Sequence, residues 1–359
     1  MAMKTVNASI NNKTYEINIG NNLSDLLISN PLFIKADKVC MIAAASIKKL
    51  HPEFINTLLG TSVKTELLIM KDSEKNKNYS YAEIFLNKIL DMGLSRKSLV
   101  IGIGGGVVGD FAGFISSIYM RGINFINVPT TLLSMVDSSL GGKTAVNLRY
   151  GKNITGTFHQ PKLVFSDLNF LKTLPADEFK NGLAEIFKHG LIGEKKTLSI
   201  LKDRTAEEIV SSDYLEELIF LSASFKASIV AEDEREGGRR AILNFGHTTG
   251  HAIESVFGYR GISHGEAVAV GIKAAVVISE KLGMLSADEK NLIIDIMKKI
   301  GLGNRKIKID PEKIISHMKY DKKNYSGIIN FVLLKGIGNA VINYKVDDMI
   351  LQNAIKMVI

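Results

Sequence analysis

The chain has 359 residues, 46% hydrophobic and 23% charged, the balance of a folded globular protein with room for two well-buried cores. Its single cysteine, Cys40, excludes an intrachain disulfide, and no cationic segment followed by an apolar core opens it, so a cytoplasmic protein is expected. The net charge of +8, from 45 basic and 37 acidic side chains, reads as a lysine-rich solvated surface; without a nucleic-acid module or interleaved aromatics it predicts no nucleic-acid partner, and small anionic ligands stay compatible.

Residues 4–10 and 13–19 alternate apolar and polar around Asn11 and Asn12, which predicts an opening β-hairpin. Residues 38–44 and 64–70 predict short buried strands separated by helical stretches. A polar loop follows at 72–77. A helix is then expected from Ser80, which makes a capping-box pattern with Glu83, to its close at Gly93. Residues 99–103 predict a strand that runs into a glycine turn at 104–110, with a helix to about Met120. That stretch, 101–120, is the nearest thing to a membrane span, but its glycines and Asp110 read as strand, turn and buried helix, so no membrane is expected. Residues 125–128 predict another strand, ending at Pro129, Thr130 and Thr131. Strands alternating with helices predict an α/β domain with a doubly wound, mostly parallel, Rossmann-like sheet. Its loops at 72–77, 104–110 and 130–131 would share the edge where such sheets bind ligands.

Beyond Pro175 the pattern turns helical, at 175–191, 213–232, 248–257, 266–282 and 286–300. Ser286 with Glu289 is a second capping box, and Asp310 with Pro311 suits a helix start. A short hairpin, 328–334 with 341–346, precedes a terminal helix. Two domains are expected: α/β over residues 1–174 and mainly α-helical over 175–359, with a cleft between them as the natural site.

Four patterns bear on chemistry. Gly104, Gly106 and Gly109 fit G-x-G-x-x-G between a strand and a helix, where backbone amides can hold a pyrophosphate, although the usual acidic residue some twenty positions on is missing. His247, His251 and His264 form a cluster just after Arg239, Arg240 and Asn244, the raw material of a divalent-metal or phosphate site. Helical spacing favours His247 with His251, and Glu185 with His189, as facing pairs. Lys143 and Lys152, each beside glycine, can approach anionic oxygens, but Asp137 stands where a Walker A motif needs its first glycine. Gly261, Ser263 and Gly265 match the hydrolase G-x-S-x-G, yet the preceding segment is helical where that elbow needs a strand.

Taken together, the chain resembles the 3-dehydroquinate synthase family of sugar-phosphate cyclases over nearly its whole length. The resemblance is carried by residues 104–110, by 129–133 through Asp137 to Lys143, by 185–188, by 234–238, and by 244–247 through 264–266. It implies an NAD-binding α/β domain, a helical metal- and substrate-binding domain and a homodimer. Zinc, which cobalt can replace, would be held by Glu185, His247 and His264, in place of the pairs that helical spacing favours. NAD would lie against Asp72, Glu74, Lys77, Gly104, Gly105, Gly106, Val107, Val108, Gly109, Asp110, Thr130, Thr131, Lys143, Lys152, Phe170, Leu171, Lys172 and Thr173. Ser73 departs from the family's Asp-Gly-Glu and would be strained if that glycine needs positive φ.

For the substrate, 3-deoxy-D-arabino-heptulosonate 7-phosphate, the resemblance implies Lys226 and Arg240 at the carboxylate. It puts Lys143, Asn153, Asn244, His251 and Lys322 at the phosphate, Arg121 from the neighbouring subunit, and Asp137 and Lys188 beside the metal-bound hydroxyls. The implied reaction is transient oxidation at C5 by NAD, β-elimination of phosphate, reduction, ring opening and aldol closure, a lyase reaction without net redox change in the shikimate route. Another sugar-phosphate cyclase or a metal- and NAD-dependent polyol dehydrogenase is the alternative; Lys226 and Arg240 discriminate, since those substrates lack the carboxylate. A non-catalytic binding protein ranks last.

Overall fold

The computed structural model describes residues 3–10, 13–149, 151–319 and 329–359. The chain divides into two compact units, Met1–Phe179 and Lys180–Ile359.

The first unit is built on β1 (Lys4–Ile10), β2 (Lys13–Gly20), β3 (Val39–Ala44), β4 (Thr65–Met70), β5 (Leu99–Gly104), β6 (Asn124–Pro129), β7 (Lys143–Leu148), β8 (Gly151–Phe158) and β9 (Leu163–Asp167). Seven of them form one sheet in the order β1-β2-β9-β6-β5-β3-β4. Only β1 and β2 pair antiparallel; every other neighbour is parallel. β3 and β5 are buried at every position, which is why both read as unbroken apolar runs, whereas β1 alternates because one face meets solvent. β9 went unmarked in the sequence reading. Its five residues are too short for periodicity to separate strand from helix.

The helix Tyr79–Asp91 corrects the expected start at Ser80. Asn78, extended at φ −142° and ψ 170°, is the cap, and its side chain accepts from the Tyr81 amide at 2.9 Å. Asparagine caps as well as serine, and it precedes the first helical residue here. The Gly106–Ile118 helix lies close on β5, since a Cβ on Gly102 would come within 2.8 Å of the Ala112 Cβ. Lys143 and Lys152 stand on the antiparallel β7–β8 hairpin, which the sequence reading did not mark. Its glycines hid the strands, and one of them is required: a Cβ on Gly156 would lie 1.9 Å from the Thr144 carbonyl oxygen.

The second unit packs helices Tyr214–Glu232, His247–Val256, His264–Lys281, Ala287–Lys299, Pro311–Lys319 and Asp348–Val358 with most of Ala176–Ile192, plus a hairpin of β10 (Asn330–Leu334) and β11 (Ala340–Lys345). His264–Lys281 is buried along most of its length and forms the axis of this unit. Ser263 caps it in a box with Glu266, so the G-x-S-x-G match is a helix start, not a nucleophile elbow. Ser286 and Glu289 form their expected box, and Thr205 with Glu208 makes a further one. Among the described residues no helix is long and apolar enough to cross a membrane.

Candidate metal centre and ligand pockets

Three segments of the helical unit meet through glycine contacts. A Cβ on Gly271 would overlap the Gly246 carbonyl at 1.9 Å, and one on Gly250 would sit 3.2 Å from the Val268 backbone, so His247–Val256 and His264–Lys281 cross at close range. Gly246 has φ 79°, a turn into the helix that glycine adopts without penalty. Gly265 brings in the third segment. Its amide donates to Asn181 Oδ1 at 3.0 Å, and a Cβ there would lie 2.5 Å from the Asn181 Cα. Glu185 follows one turn after Asn181 on Ala176–Ile192, which sets it beside His264.

The outcome is a buried Glu185 whose Oε1 lies 3.6 Å from His247 Nε2 and 3.8 Å from His264 Nε2. The three ligand atoms lie within 4.8 Å of one another. Glu185 Oε1 has no hydrogen-bond partner, a costly state for a buried carboxylate oxygen unless a cation completes it. The other nitrogen of each ring is already used. His247 Nδ1 donates to the Phe245 carbonyl at 3.2 Å, and His264 Nδ1 lies 3.4 Å from Glu254 Oε2. Both Nε2 atoms are thereby turned toward Glu185, and the residues fit a tetrahedral divalent ion with an open position.

The charges agree with that reading. Burial raises the Glu185 carboxyl, but the adjoining Lys188 ammonium and then His247 and His264 outweigh it and hold it well below the usual carboxylate range. Burial and then Lys188 keep His247 well below the usual imidazole range, so it is neutral. Burial would lower His264 as well, but contact with Glu185 and Glu254 pushes it up to about 10. Glu254 was missed from sequence, although it lies seven residues after His247 on the same helical face. His189, favoured by spacing, also offers Glu185 a ligand atom within 4.8 Å, while its Nδ1 joins Ser222 Oγ at 2.6 Å in the core.

Lys226 and Arg240 are both nearly devoid of solvent exposure. Arg240 is held by its amide to Asp233 Oδ2 at 3.0 Å and by Nη1 to the Glu234 carbonyl. Asn244 donates to Glu236 Oε1 at 2.6 Å. With His247 and His251, whose ring centroids are 5.2 Å apart, it lines a pocket of about 100 Å³. Lys322 lies outside the described residues.

In the α/β unit the loops at 72–77, 104–110 and 130–131 follow the C-terminal ends of β4, β5 and β6, residues 170–173 follow β9, and Lys143 and Lys152 lie on β7 and β8. The Thr130 amide donates to the Gly104 carbonyl at 3.0 Å, joining two of those loops. None of Gly104, Gly105, Gly106 and Gly109 has positive φ. They are needed for close approach, since a Cβ on Gly106 would lie 2.9 Å from Ser138 Oγ and one on Gly104 would lie 2.7 Å from the Val108 Cβ. The Gly106–Ile118 helix has no side-chain cap, so its first amides are available to an anion. Buried Lys77 donates to Asp110 at 2.5 Å and to Asn153 Oδ1 at 2.6 Å, tying the 72–77 loop to the glycine turn and the β7–β8 hairpin. Asn147, unmarked in the sequence, donates to Glu74 at 2.7 Å and accepts from the Asn153 amide at 2.8 Å.

Asp72 accepts from the Ala45 and Ser46 amides at 2.8 and 3.2 Å. Ser73 has φ −145°, so the expected strain is absent: the position is extended and serine caps the next turn. Phe170 and Leu171 are buried, and Thr173 meets His51 Nε2 at 2.7 Å. Lys172 donates to Asn169 Oδ1 at 2.7 Å. Asp137 sits in one turn of π-helix, Ser134–Ser138, a distortion often found at functional sites. Arg121, exposed at φ 70°, follows Met120 at φ 49°.

A doubly wound sheet, a helical unit and a buried glutamate faced by two imidazoles are the features of a metal-site enzyme, and known proteins sharpen that class. The chain is similar over 99% of its length to a solved sugar-phosphate cyclase, 2-deoxy-scyllo-inosose synthase, complexed with carbaglucose-6-phosphate, NAD+ and Co2+, at TM-score 0.88 and 26% identity, covering 100% of that chain. Family models described as 3-dehydroquinate synthase N-terminal and C-terminal match residues 67–181 and 182–324. The chain belongs to the 3-dehydroquinate synthase family. It is 41% identical to the 3-dehydroquinate synthases of Leptospira interrogans, over 352 residues, and Endomicrobium trichonymphae, over 353, covering 97% of each chain in both cases.

Proposed function

We infer that the protein is a 3-dehydroquinate synthase, converting 3-deoxy-D-arabino-heptulosonate 7-phosphate to 3-dehydroquinate and inorganic phosphate with NAD and one divalent ion, zinc or cobalt. The observation that carries the metal half is Glu185 Oε1, buried without a hydrogen-bond partner and faced by two imidazole Nε2 atoms. Bound NAD supplies a hydride acceptor returned within each turnover, and the metal a Lewis acid that stabilises negative charge on oxygen.

The chain's own residues do the rest. The uncapped amides after Gly105, with Thr130, Thr131 and the loops at 72–77 and 170–173, hold the dinucleotide. Lys226 and Arg240 bind the substrate carboxylate; two cations so little exposed favour a carboxylate-bearing substrate over those of other cyclases or of polyol dehydrogenases. Asn244 and His251, with Lys143, Asn153 and Lys322, hold the phosphate, orient it as a leaving group and stabilise its charge as it departs. Asp137 and Lys188 hold the hydroxyls of the reacting carbons, and Arg121 serves the site of a second copy. A cytoplasmic homodimer, with residues 1–174 binding NAD and 175–359 the metal and substrate, completes the proposal.

The test is an assay of the protein loaded with NAD and zinc. Stoichiometric release of phosphate from the heptulosonate phosphate without net NADH is expected. NADH accumulating from a polyol, or no phosphate release, overturns the reading.

A further inference from the structure

β11 does not run regularly beside β10. Phe331 pairs with Tyr344 but Leu333 pairs with Val341, so Ile342 and Asn343 together face the single residue Val332. This is a β-bulge, a device that re-aims side chains and is over-represented beside active sites. Within it Asn343 has φ 56°, the left-handed region that costs most residues energy. Asparagine tolerates that region, so the backbone alone could account for the residue. The position of the bulge says more. Val332, Ile342 and Asn343 line the pocket that Asn244, His247 and His251 also line, and among the described residues no acidic side chain lines it. The pocket opens at the start of His247–Val256, where no side chain caps the helix, so its field favours an anion. Asn343, an exposed residue on the rim of that pocket, carries a carboxamide able to donate two hydrogen bonds to an anion held there.

We propose that Asn343 is a specificity-determining residue for the phosphate end of the substrate, donating from the β10–β11 wall to a phosphate oxygen. The identity of the ester rests on the function proposed above; the preference for an anion does not. Backbone and side-chain roles separate cleanly. Asn343→Gly keeps the positive φ and deletes the carboxamide, while Asn343→Asp keeps the shape and replaces the donor with a negative charge.

The probe is inorganic phosphate, titrated calorimetrically into the NAD- and zinc-loaded protein. Asn343→Gly is expected to raise its Kd about tenfold, the worth of one hydrogen bond to a charged group, and Asn343→Asp to raise it further. Asn343→Gly should also lower kcat/KM for the heptulosonate phosphate with the melting temperature unmoved, which a purely structural role would not produce. Phosphate affinity within twofold of wild type in both variants, or no phosphate binding by the wild type, overturns the proposal. If Asn343→Gly weakens phosphate binding but the wild type does not turn over the heptulosonate phosphate, the proposed function falls and the Asn343 assignment stands.

Discussion

The His264 ring is held between two carboxylates, with Nδ1 3.4 Å from Glu254 Oε2 and Nε2 3.8 Å from Glu185 Oε1. Glu254 thus sets the orientation of a ring whose other nitrogen faces Glu185, and would raise its basicity toward a metal.

Replacing Glu254 with Gln should therefore lower zinc affinity by roughly 10–100-fold without removing any of the three ligands. Competition with a chromogenic chelator measures this. Wild-type affinity in the variant would show that the carboxylate has no part in holding the ring.

Metal uptake should expel a proton. His264 titrates at about 10 in the metal-free site, so it carries a proton at neutral pH, whereas His247 is already neutral. A folded value raised above the usual 6.5 means that the His264 ion pairs stabilise the metal-free protein fully below about 6.5, and that this is lost as pH rises through about 10. Zinc competes with that proton, so apparent affinity should climb with pH up to about 10. Calorimetry in buffers of different ionisation enthalpy reads the released proton; heats independent of buffer would contradict the assignment.

Gly265→Ala tests the packing that brings the ligands together. The added Cβ would fall 2.5 Å from the Asn181 Cα, which cannot yield as a flexible side chain would. We expect a loss of about 1–3 kcal/mol in stability and weaker zinc binding, both measurable by denaturant unfolding with and without metal. An unchanged denaturation midpoint would mean that the two helices part at no cost.

Lys77→Met should leave Asp110 without its ammonium partner. Burial already raises the Asp110 carboxyl, with Lys77 opposing it. The raised value makes the ionised form unfavourable in the folded state, so the loss should appear as pH rises through the Asp110 titration and shrink in acid. About 2 kcal/mol is expected at neutral pH, with recovery in Lys77→Met/Asp110→Asn. No recovery in the double variant would separate the two side chains energetically.

Arg240→Ala should mainly weaken carboxylate-bearing substrate analogues, by about 2 kcal/mol or more for a buried charge-assisted contact, and barely alter a des-carboxy analogue. Equal losses for both analogues would take Arg240 out of carboxylate recognition.

Much of this architecture is local and therefore readable in sequence. The unbroken apolar runs of β3 and β5, the capping box at Ser286, and the glycine turn after β5 follow from burial on two faces and from bonds spanning three or four residues. Family resemblance added the ligand set. Local rules misled where two choices satisfied them equally. Ser80 and Asn78 both suit a helix start, and His251 and His264 both suit partnership with His247. The first case is settled by the bond from the Tyr81 amide to Asn78 Oδ1, and in the second, contact between segments distant in the chain brings His264 beside Glu185, as the resemblance implied. The close crossings at Gly271 and Gly265 join residues far apart in sequence, Asn147 ties Glu74 to Asn153, and Glu254 orients His264. Such contacts leave no periodic mark on either partner, since each depends on the packing distance between elements and not on spacing within one.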